Sequence, residues 1–323
     1  MLDYSSYIFA LKTYNNLLND AKEGRLAQTY LLENRDSDLT FSFALNLAKI
    51  IMLDEKNRKI GSSKIDKNIH PDLKIYGLDK KFSVDNASEI VSDVFVLPYE
   101  AERKVYIIAN AEQMNDESQN KLLKTLEEPP MSSYFILCAK NQKSLLQTVI
   151  SRAKKVLIEE PSEQKIEELL NAAGVLGVNA KIASICCSHD ASKALKMVEN
   201  SSFIKLYDNV FDMFRLMNSS RDIIKFVERF SGKDFIIQDF LTIVESVAMD
   251  VIYVHAKTEN LVLNKHRIPE LKVIASVCSV PALVKILKEC FDFRESLYYN
   301  VNVTPALDEF MLKFVEVKVK CKK

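Results

Sequence analysis

The apolar positions follow two different periods along the first half of the chain. Short runs of β-branched, aromatic and aliphatic residues are typical of strands buried on both faces, and they alternate with stretches whose apolar positions recur every three or four residues. The predicted strands cover residues 29–32, 73–76, 105–108, 134–139 and 156–158. This repetition predicts a parallel sheet with intervening helices, whose chemistry lies at the carboxyl ends of the strands.

The second half keeps the helical period, and no further strand run follows. The predicted helices cover residues 164–173, 180–187, 191–199, 203–216, 221–230, 234–257, 271–277, 282–298 and 305–314. The predicted fold class is therefore α/β plus all-α. Pro161 and the polar segment 200–202 mark the boundaries, so we expect an α/β domain over 1–160 and helical domains over 161–202 and 203–323.

Three polar segments are predicted to lie outside regular structure. Residues 33–40 favour a turn before a helix that starts at Phe41, and residues 54–68 favour a solvated excursion. The tail 317–323 has four lysines in its last six residues. We expect a frayed, solvated end there, with contact to phosphate or DNA as the alternative.

Composition narrows the class of protein. Apolar residues make up 48%, which argues against disorder, and Lys+Arg and Asp+Glu both number 44, which argues against a uniformly basic nucleic-acid coat. The six cysteines lack C-x-x-C spacing, which favours buried thiols in a reducing compartment. The first residues lack the features of a signal peptide, and no window approaches 18 uninterrupted apolar residues. We therefore expect a cytoplasmic protein with no membrane partner.

The order of strand, polar loop and helix over residues 29–52 is the order that a phosphate-binding P-loop needs. The loop lacks the chemistry, because no glycine stands between positions 24 and 61 and no lysine occupies the phosphate-binding place. Leu39, Thr40 and Phe41 stand where Gly-Lys-Thr is required. We predict a degenerate P-loop and no bound cofactor; the residues concerned are Asn34, Ser37, Leu39, Thr40 and Phe41.

The predicted strand 105–108 lacks the acids that a nucleotide triphosphatase places at its end. One acid there would bind Mg²⁺ and another would activate water, but this chain has Ala109 and Asn110. Neither side chain can act as that base. Because both halves of the ATP machinery are missing, we predict that the chain does not hydrolyse nucleotide.

Other candidate sites are weak. His70 has no second metal ligand nearby. The adjacent residues 188–190 (Ser-His-Asp) cannot form a triad among themselves, and Glu127 and Glu128 point apart on a helix. We expect the two glutamates to anchor the end of that helix, which Pro129 and Pro130 terminate. No metal site is predicted.

Arg152 is a candidate functional residue that the chain retains, unlike the P-loop and the acids after the strand 105–108. It follows Ser151 after a helix predicted over 144–150 and precedes the last predicted strand. A guanidinium there can reach a phosphate on a neighbouring subunit, as an arginine finger does. A surface or intradomain salt bridge is the alternative.

Several motifs resemble those of bacterial clamp-loader subunits, and above all the delta-prime family of DNA polymerase III. They are KVYIIANAEQMN (104–115), LLKTLEEPP (122–130), YFILCAKN (134–141) and LLQTVISR (145–152). Further segments follow in the expected order: EGRLAQTYLL (23–32), IHPDLKIYG (69–77), VLPYEAERKVYII (96–108) and YNVNVTPALDEFMLKF (299–314). The similarity covers nearly the whole chain.

The resemblance implies a RecA-like AAA+ core, a small helical lid and a helical collar that assembles a hetero-pentameric ring. The implied partners are the tau/gamma ATPase subunits and the delta subunit, with the sliding clamp and primed DNA contacted indirectly. The implied role in DNA replication is that of a stator, which is a non-catalytic subunit. The holoenzyme to which it would belong is a DNA-directed DNA polymerase, and hence a nucleotidyltransferase. Its Ser-Arg-Cys arginine serves the neighbouring ATP site; here Ser151 and Arg152 match and Ala153 replaces the cysteine.

Other departures from the family are larger. The four-cysteine zinc module is missing, because residues 52–70 contain no cysteine. The sensor-2 region is reduced to residues 190–193, which makes Lys193 an uncertain counterpart. An inert scaffold and a DNA-binding helical protein on a decayed AAA+ core are the alternatives to the stator role.

Overall fold

The computed structural model of the protein describes residues 2–54, 58–230, 235–299 and 302–320. The chain forms two compact units, Met1–Ser162 and Glu163–Lys323. The first unit contains a parallel sheet with helices, and the described part of the second is helical, which confirms the predicted α/β plus all-α class. The finer division into 1–160, 161–202 and 203–323 stays a prediction.

The sheet of the first unit has five strands in the order β2-β3-β4-β1-β5, and all neighbouring strands are parallel. The strands are β1 (Thr29–Glu33), β2 (Leu73–Tyr76), β3 (Lys104–Ile108), β4 (Ser133–Ala139) and β5 (Lys154–Leu157). The predicted strands are confirmed, with ends that differ by about one or two residues. Parallel strands require crossover helices, and the chain supplies them between successive strands.

The described helices of the first unit are α1 (Ser5–Ala10), α2 (Lys12–Lys22), α3 (Ser37–Met52), α4 (Arg58–Asp66), α5 (Val84–Asp93), α6 (Asp116–Glu127) and α7 (Gln147–Ile150). Local chemistry explains several starts. Ser83 forms a capping box with Asn86 at α5, and the Asn115 side chain accepts the Ser118 N–H at the start of α6. The stop of α6 at Glu127 agrees with the two prolines that follow.

Three predictions for segments of this unit are wrong in detail. Helix α3 begins at Ser37 rather than Phe41, because Asp36 caps it. The segment predicted as a solvated excursion contains α4; its residues 55–57 lie outside the described residues. The predicted helix 144–150 is instead a 3₁₀ turn over Gln142–Ser144 followed by α7.

The core of the first unit lies on both faces of the central strands. Every residue of β3 and β4 is buried, as expected for strands covered on both sides. The rings of Tyr106 and Phe135 stack with centroids 5.1 Å apart. Leu122 and Leu126 of α6 are buried in the same cluster, so the apolar side of α6 fixes this helix against the sheet.

The described helices of the second unit are α8 (Glu163–Ala172), α9 (Val178–Cys186), α10 (Ala191–Glu199), α11 (Ser201–Leu216), α12 (Ser220–Arg229), α13 (Ile237–His255), α14 (Ile268–Val277), α15 (Val280–Ser296) and α16 (Val303–Lys320). Residue 234, predicted to start a helix, lies outside the described residues. None of the helices in the described ranges is both long and apolar enough to cross a membrane.

The expectation of a frayed tail is wrong for its first residues. Helix α16 continues to Lys320, and the Lys318 side chain is buried with 1% of its surface exposed. Its Nζ donates to the carbonyl oxygens of Phe214 at 2.5 Å and Met217 at 3.0 Å, at the carboxyl end of α11. A cation at this end of a helix compensates the macrodipole and the carbonyls left without a helical partner. Residues 321–323 lie outside the described residues.

Candidate functional site

The two predicted nucleotide motifs line one small cleft at the carboxyl ends of β1, β3 and β4. Ser37, Thr40 and Phe41 line it from α3, and Ala109 and Asn110 line it from the end of β3. The cleft has a volume of 130 Å³. Pockets for small-molecule ligands usually measure about 300–1,000 Å³. The two motifs therefore meet in the fold, at a cleft with little room for a nucleotide.

The amino end of α3, where a P-loop binds phosphate, is occupied by the Asp36 carboxylate. Asp36 is fully buried, and its Oδ1 accepts the N–H groups of Asp38 at 3.0 Å and Leu39 at 3.1 Å. Its Oδ2 accepts the hydroxyl of Tyr4 at 2.7 Å. A bound phosphate would use such helix N–H groups. The chain's own carboxylate takes the place of the anion.

The loop between β1 and α3 is closed by further internal hydrogen bonds. Asn34 Nδ2 donates to the carbonyl oxygen of Ile158 at 3.0 Å, and Asn34 Oδ1 accepts the Asp36 N–H at 2.8 Å. Thr40 Oγ1 donates to the Asp36 carbonyl oxygen at 2.8 Å. The polar residues predicted to be P-loop remnants therefore bind each other and the chain after β5. Asp36 is not among the functional residues predicted from the sequence. Its position before an apolar helix was a usable signal, because aspartate is a strong helix cap.

Asn110 has a structural role at the end of β3. It adopts the left-handed conformation, with φ 51°, and its Nδ2 donates to the Gly77 carbonyl oxygen at 3.0 Å. A Cβ at Gly77, whose φ is +76°, would collide with the Ala109 carbonyl oxygen. Asparagine tolerates the left-handed region better than most residues. The pair Ala109-Asn110 thus joins the ends of β2 and β3.

Arg152 and the cleft lie at opposite ends of the strands of the sheet. It precedes β5 by two positions, so it lies at the amino end of that strand, whereas the cleft lies at the carboxyl ends of its neighbours. Its NH2 forms an ion pair with Glu127 Oε1 at 2.8 Å, and its NH1 donates to the Thr148 carbonyl oxygen at 2.8 Å. Ser151 Oγ donates to the same Thr148 oxygen at 3.1 Å. The structure does not bring Arg152 to the chain's own cleft.

The pair His70 and Asp72 has an architectural role that sequence reasoning missed. Asp72 is buried, and its carboxylate accepts the N–H groups of Tyr99 (2.6 Å), Glu100 (2.7 Å) and Ala101 (2.8 Å). Burial alone would raise the pKa of Asp72, but these three donors outweigh it and hold the pKa below its usual range. The carboxylate thereby fixes the loop that leads into β3. The signal available in the sequence was an aspartate directly before a predicted strand.

His70 supports the same turn and is not arranged as a metal ligand. Its Nδ1 accepts the Asp72 N–H at 3.2 Å, and burial lowers its pKa, in agreement with a neutral ring that accepts a hydrogen bond. Within the described ranges, no three His, Cys, Asp or Glu side chains are grouped so that they could hold a metal ion.

Lys193, the residue at the reduced sensor-2 position, is bound within the second unit. Its Nζ lies 2.8 Å from Asp239 Oδ1, and Asp239 is 4% exposed. Asp190 caps α10 by accepting the Lys193 N–H at 2.7 Å. The Lys193 side chain is therefore held in an ion pair with Asp239.

Comparison with known proteins agrees with the architecture. Residues 10–162 match the model of the family described as "DNA polymerase III, delta subunit". DNA polymerase III subunit delta' of Bacillus subtilis (strain 168) is 23% identical over 93% of this chain and 94% of its own length. Subunit delta' of Buchnera aphidicola subsp. Baizongia pistaciae (strain Bp) is 21% identical over 86% of each chain. Subunit gamma of Buchnera aphidicola subsp. Acyrthosiphon pisum (strain APS) is 30% identical over 39% of this chain and 35% of its own.

The five-stranded parallel sheet with its crossover helices defines the first unit as a parallel α/β fold, and the described part of the second unit is helical. The chain is therefore similar to the delta' subunits of DNA polymerase III over most of its length, and its first unit carries the match to the family model.

Proposed function

We propose that this chain is a cytoplasmic, non-ATPase subunit of the DNA polymerase III clamp loader. It acts as the stator of a hetero-pentameric ring with the tau/gamma ATPase subunits and the delta subunit. It offers Arg152 in trans to the ATP site of a neighbouring ATPase subunit while the sliding clamp is loaded on primed DNA. It contacts the clamp and DNA indirectly.

The observation that carries this proposal is the separation of Arg152 from a small cleft beside which the chain's own Asp36 carboxylate caps the amino end of α3. The Asp36 carboxylate satisfies the N–H groups that a phosphate would need, and a second negative charge beside it would be repelled. Directly after β3 the chain has Ala109 and Asn110 at the positions where acids would hold Mg²⁺ and activate water, although Asp38 and Glu112 also line the cleft. Both features support a subunit that binds no nucleotide.

The position of Arg152 supports action on another subunit. Arg152 lies at the amino ends of the strands and the cleft lies at their carboxyl ends. Arg152 therefore cannot stabilise charge in its own chain's site. Its side chain is 27% exposed, which leaves part of it accessible to a partner. A planar guanidinium with several N–H donors suits the developing charge of a transferring phosphoryl group.

The isolated chain is expected to show no heat of binding when Mg²⁺–ATP is titrated into it by calorimetry. The reason is that Asp36 blocks the amino end of α3 and the cleft is small. The tau/gamma subunit, titrated under the same conditions, serves as the positive control. Stoichiometric binding with a micromolar Kd would contradict the proposed loss of the nucleotide site.

A further inference from the structure

Glu127 and Arg152 belong to two separate sequence motifs that meet in the fold. Glu127 stands in LLKTLEEPP and Arg152 ends LLQTVISR. The Glu127 Oε1 atom lies 2.8 Å from Arg152 NH2, and 57% of the Glu127 side chain is exposed. A surface ion pair of this kind contributes little to stability, with a median of about 0–1 kcal/mol. The contact is therefore better suited to setting the position of the arginine than to holding the fold together.

The helix that carries Glu127 is firmly fixed. Leu122 and Leu126 anchor α6 in the core with 0% and 3% exposure, and Glu127 is its last residue. The prolines that follow end the helix, and Gln28 Nε2 donates to the Pro130 carbonyl oxygen at 2.8 Å. The carboxylate is thus presented from a rigid backbone on which only its own side chain can move.

The arginine has a second anchor on its other terminal nitrogen. NH1 donates to the Thr148 carbonyl oxygen at 2.8 Å, while NH2 faces Glu127. The Nε atom is buried and makes no hydrogen bond to the part of the chain that the structure describes. A guanidinium carries five N–H donors, so these two contacts fix its plane and leave a further N–H on each terminal nitrogen.

We propose that Glu127 is a positioning residue for Arg152, which holds the guanidinium in one orientation before a neighbouring subunit's phosphate meets it. The inference rests on the proposed function, because it specifies how the trans arginine is prepared. A long side chain that is already ordered loses less freedom when it binds in the transition state. Loss of the carboxylate acceptor is therefore expected to lower kcat, with the KM for ATP unchanged.

The test uses the reconstituted clamp loader with clamp- and DNA-stimulated ATP hydrolysis as the readout. For Glu127→Ala we expect kcat at the ATP site that receives Arg152 to fall about 3- to 10-fold at constant KM, which corresponds to ordering one side chain. Glu127→Gln retains an oxygen acceptor and is expected to restore most of the rate. Glu128→Ala, the neighbouring exposed glutamate, is the matched control and is expected to match wild type. Thermal unfolding and assembly of all variants are expected to be unchanged.

The double variant Glu127→Ala with Arg152→Ala is expected to be no slower than Arg152→Ala alone, because Glu127 acts through the arginine. The positioning role is overturned if Glu127→Ala matches wild type or is faster, or if Glu127→Gln is as slow as Glu127→Ala. If Arg152→Ala itself leaves hydrolysis unchanged, the trans role in the proposed function fails as well. The two failures are therefore distinguishable.

Discussion

Arg152→Ala is expected to slow ATP hydrolysis about 10³-fold at the neighbouring site that receives the arginine, equivalent to about 4 kcal/mol of transition-state stabilisation. The physical reason is the loss of a guanidinium that neutralises charge developing on the transferred phosphoryl group. Rapid-quench measurement on the reconstituted clamp loader, with clamp and primed DNA present, would show the defect as the loss of one site's share of ATP from the fast phase of hydrolysis. Assembly is expected to be intact.

The matched control for this prediction is Arg25→Ala. Arg25 is an exposed arginine of the same unit, whose ion pairs with Glu23 and Asp20 are local. It is expected to leave hydrolysis at every site unchanged. Equal hydrolysis by wild type and Arg152→Ala would instead favour the inert scaffold, in which the ion pair of Arg152 with Glu127 is merely a surface contact.

Asp72→Ala is expected to destabilise the protein by about 2–4 kcal/mol at pH 7, because three backbone N–H groups lose a charged acceptor. Chemical denaturation of the isolated chain measures this change. Asp79→Ala, an exposed aspartate in the turn after β2, is the control and is expected to change stability by no more than about 0.5 kcal/mol. A loss for Asp72→Ala no larger than that of the control would contradict the structural role given to Asp72.

The same contact predicts a dependence on pH. The pKa of Asp72 is lower in the folded chain than in the unfolded chain, so its contribution is fully present above the unfolded value of about 4. It is lost as the pH falls through the lower, folded value. Wild type is therefore expected to lose stability over this acidic range more steeply than Asp72→Asn, whose side chain does not titrate.

The strands and the location of the site could be predicted because each depends on a short run of residues. A buried parallel strand is an uninterrupted apolar run, and the five runs found in the sequence overlap the five strands. The overlap is smallest at β5, whose first two residues are exposed lysines outside the run predicted over 156–158. Thr40 and Phe41, in the first turns of α3, line the same cleft as Ala109 and Asn110 at the end of β3. The sequence also places Arg152 directly before the last strand.

The contacts that decide what the site can do join residues far apart in the chain, and the pattern of a single segment does not contain them. Tyr4 binds Asp36, 32 positions away, and Asn34 binds the carbonyl of Ile158, 124 positions away. The burial of Lys318 depends on the carboxyl end of α11, about a hundred positions earlier, so a run of lysines gave the wrong expectation of a fully solvated tail. The ion pair of Arg152 with Glu127 required the packing of α6 against the sheet.

Assembly tests the central claim most directly, because every part of the proposed role requires a place in the ring. The measurement is gel filtration of the tagged chain mixed with the tau/gamma and delta subunits. We expect one complex that contains all three kinds of subunit, with Arg152→Ala incorporated as fully as wild type. If the tau/gamma and delta subunits assemble while this chain elutes alone, the proposed place in the clamp loader is wrong.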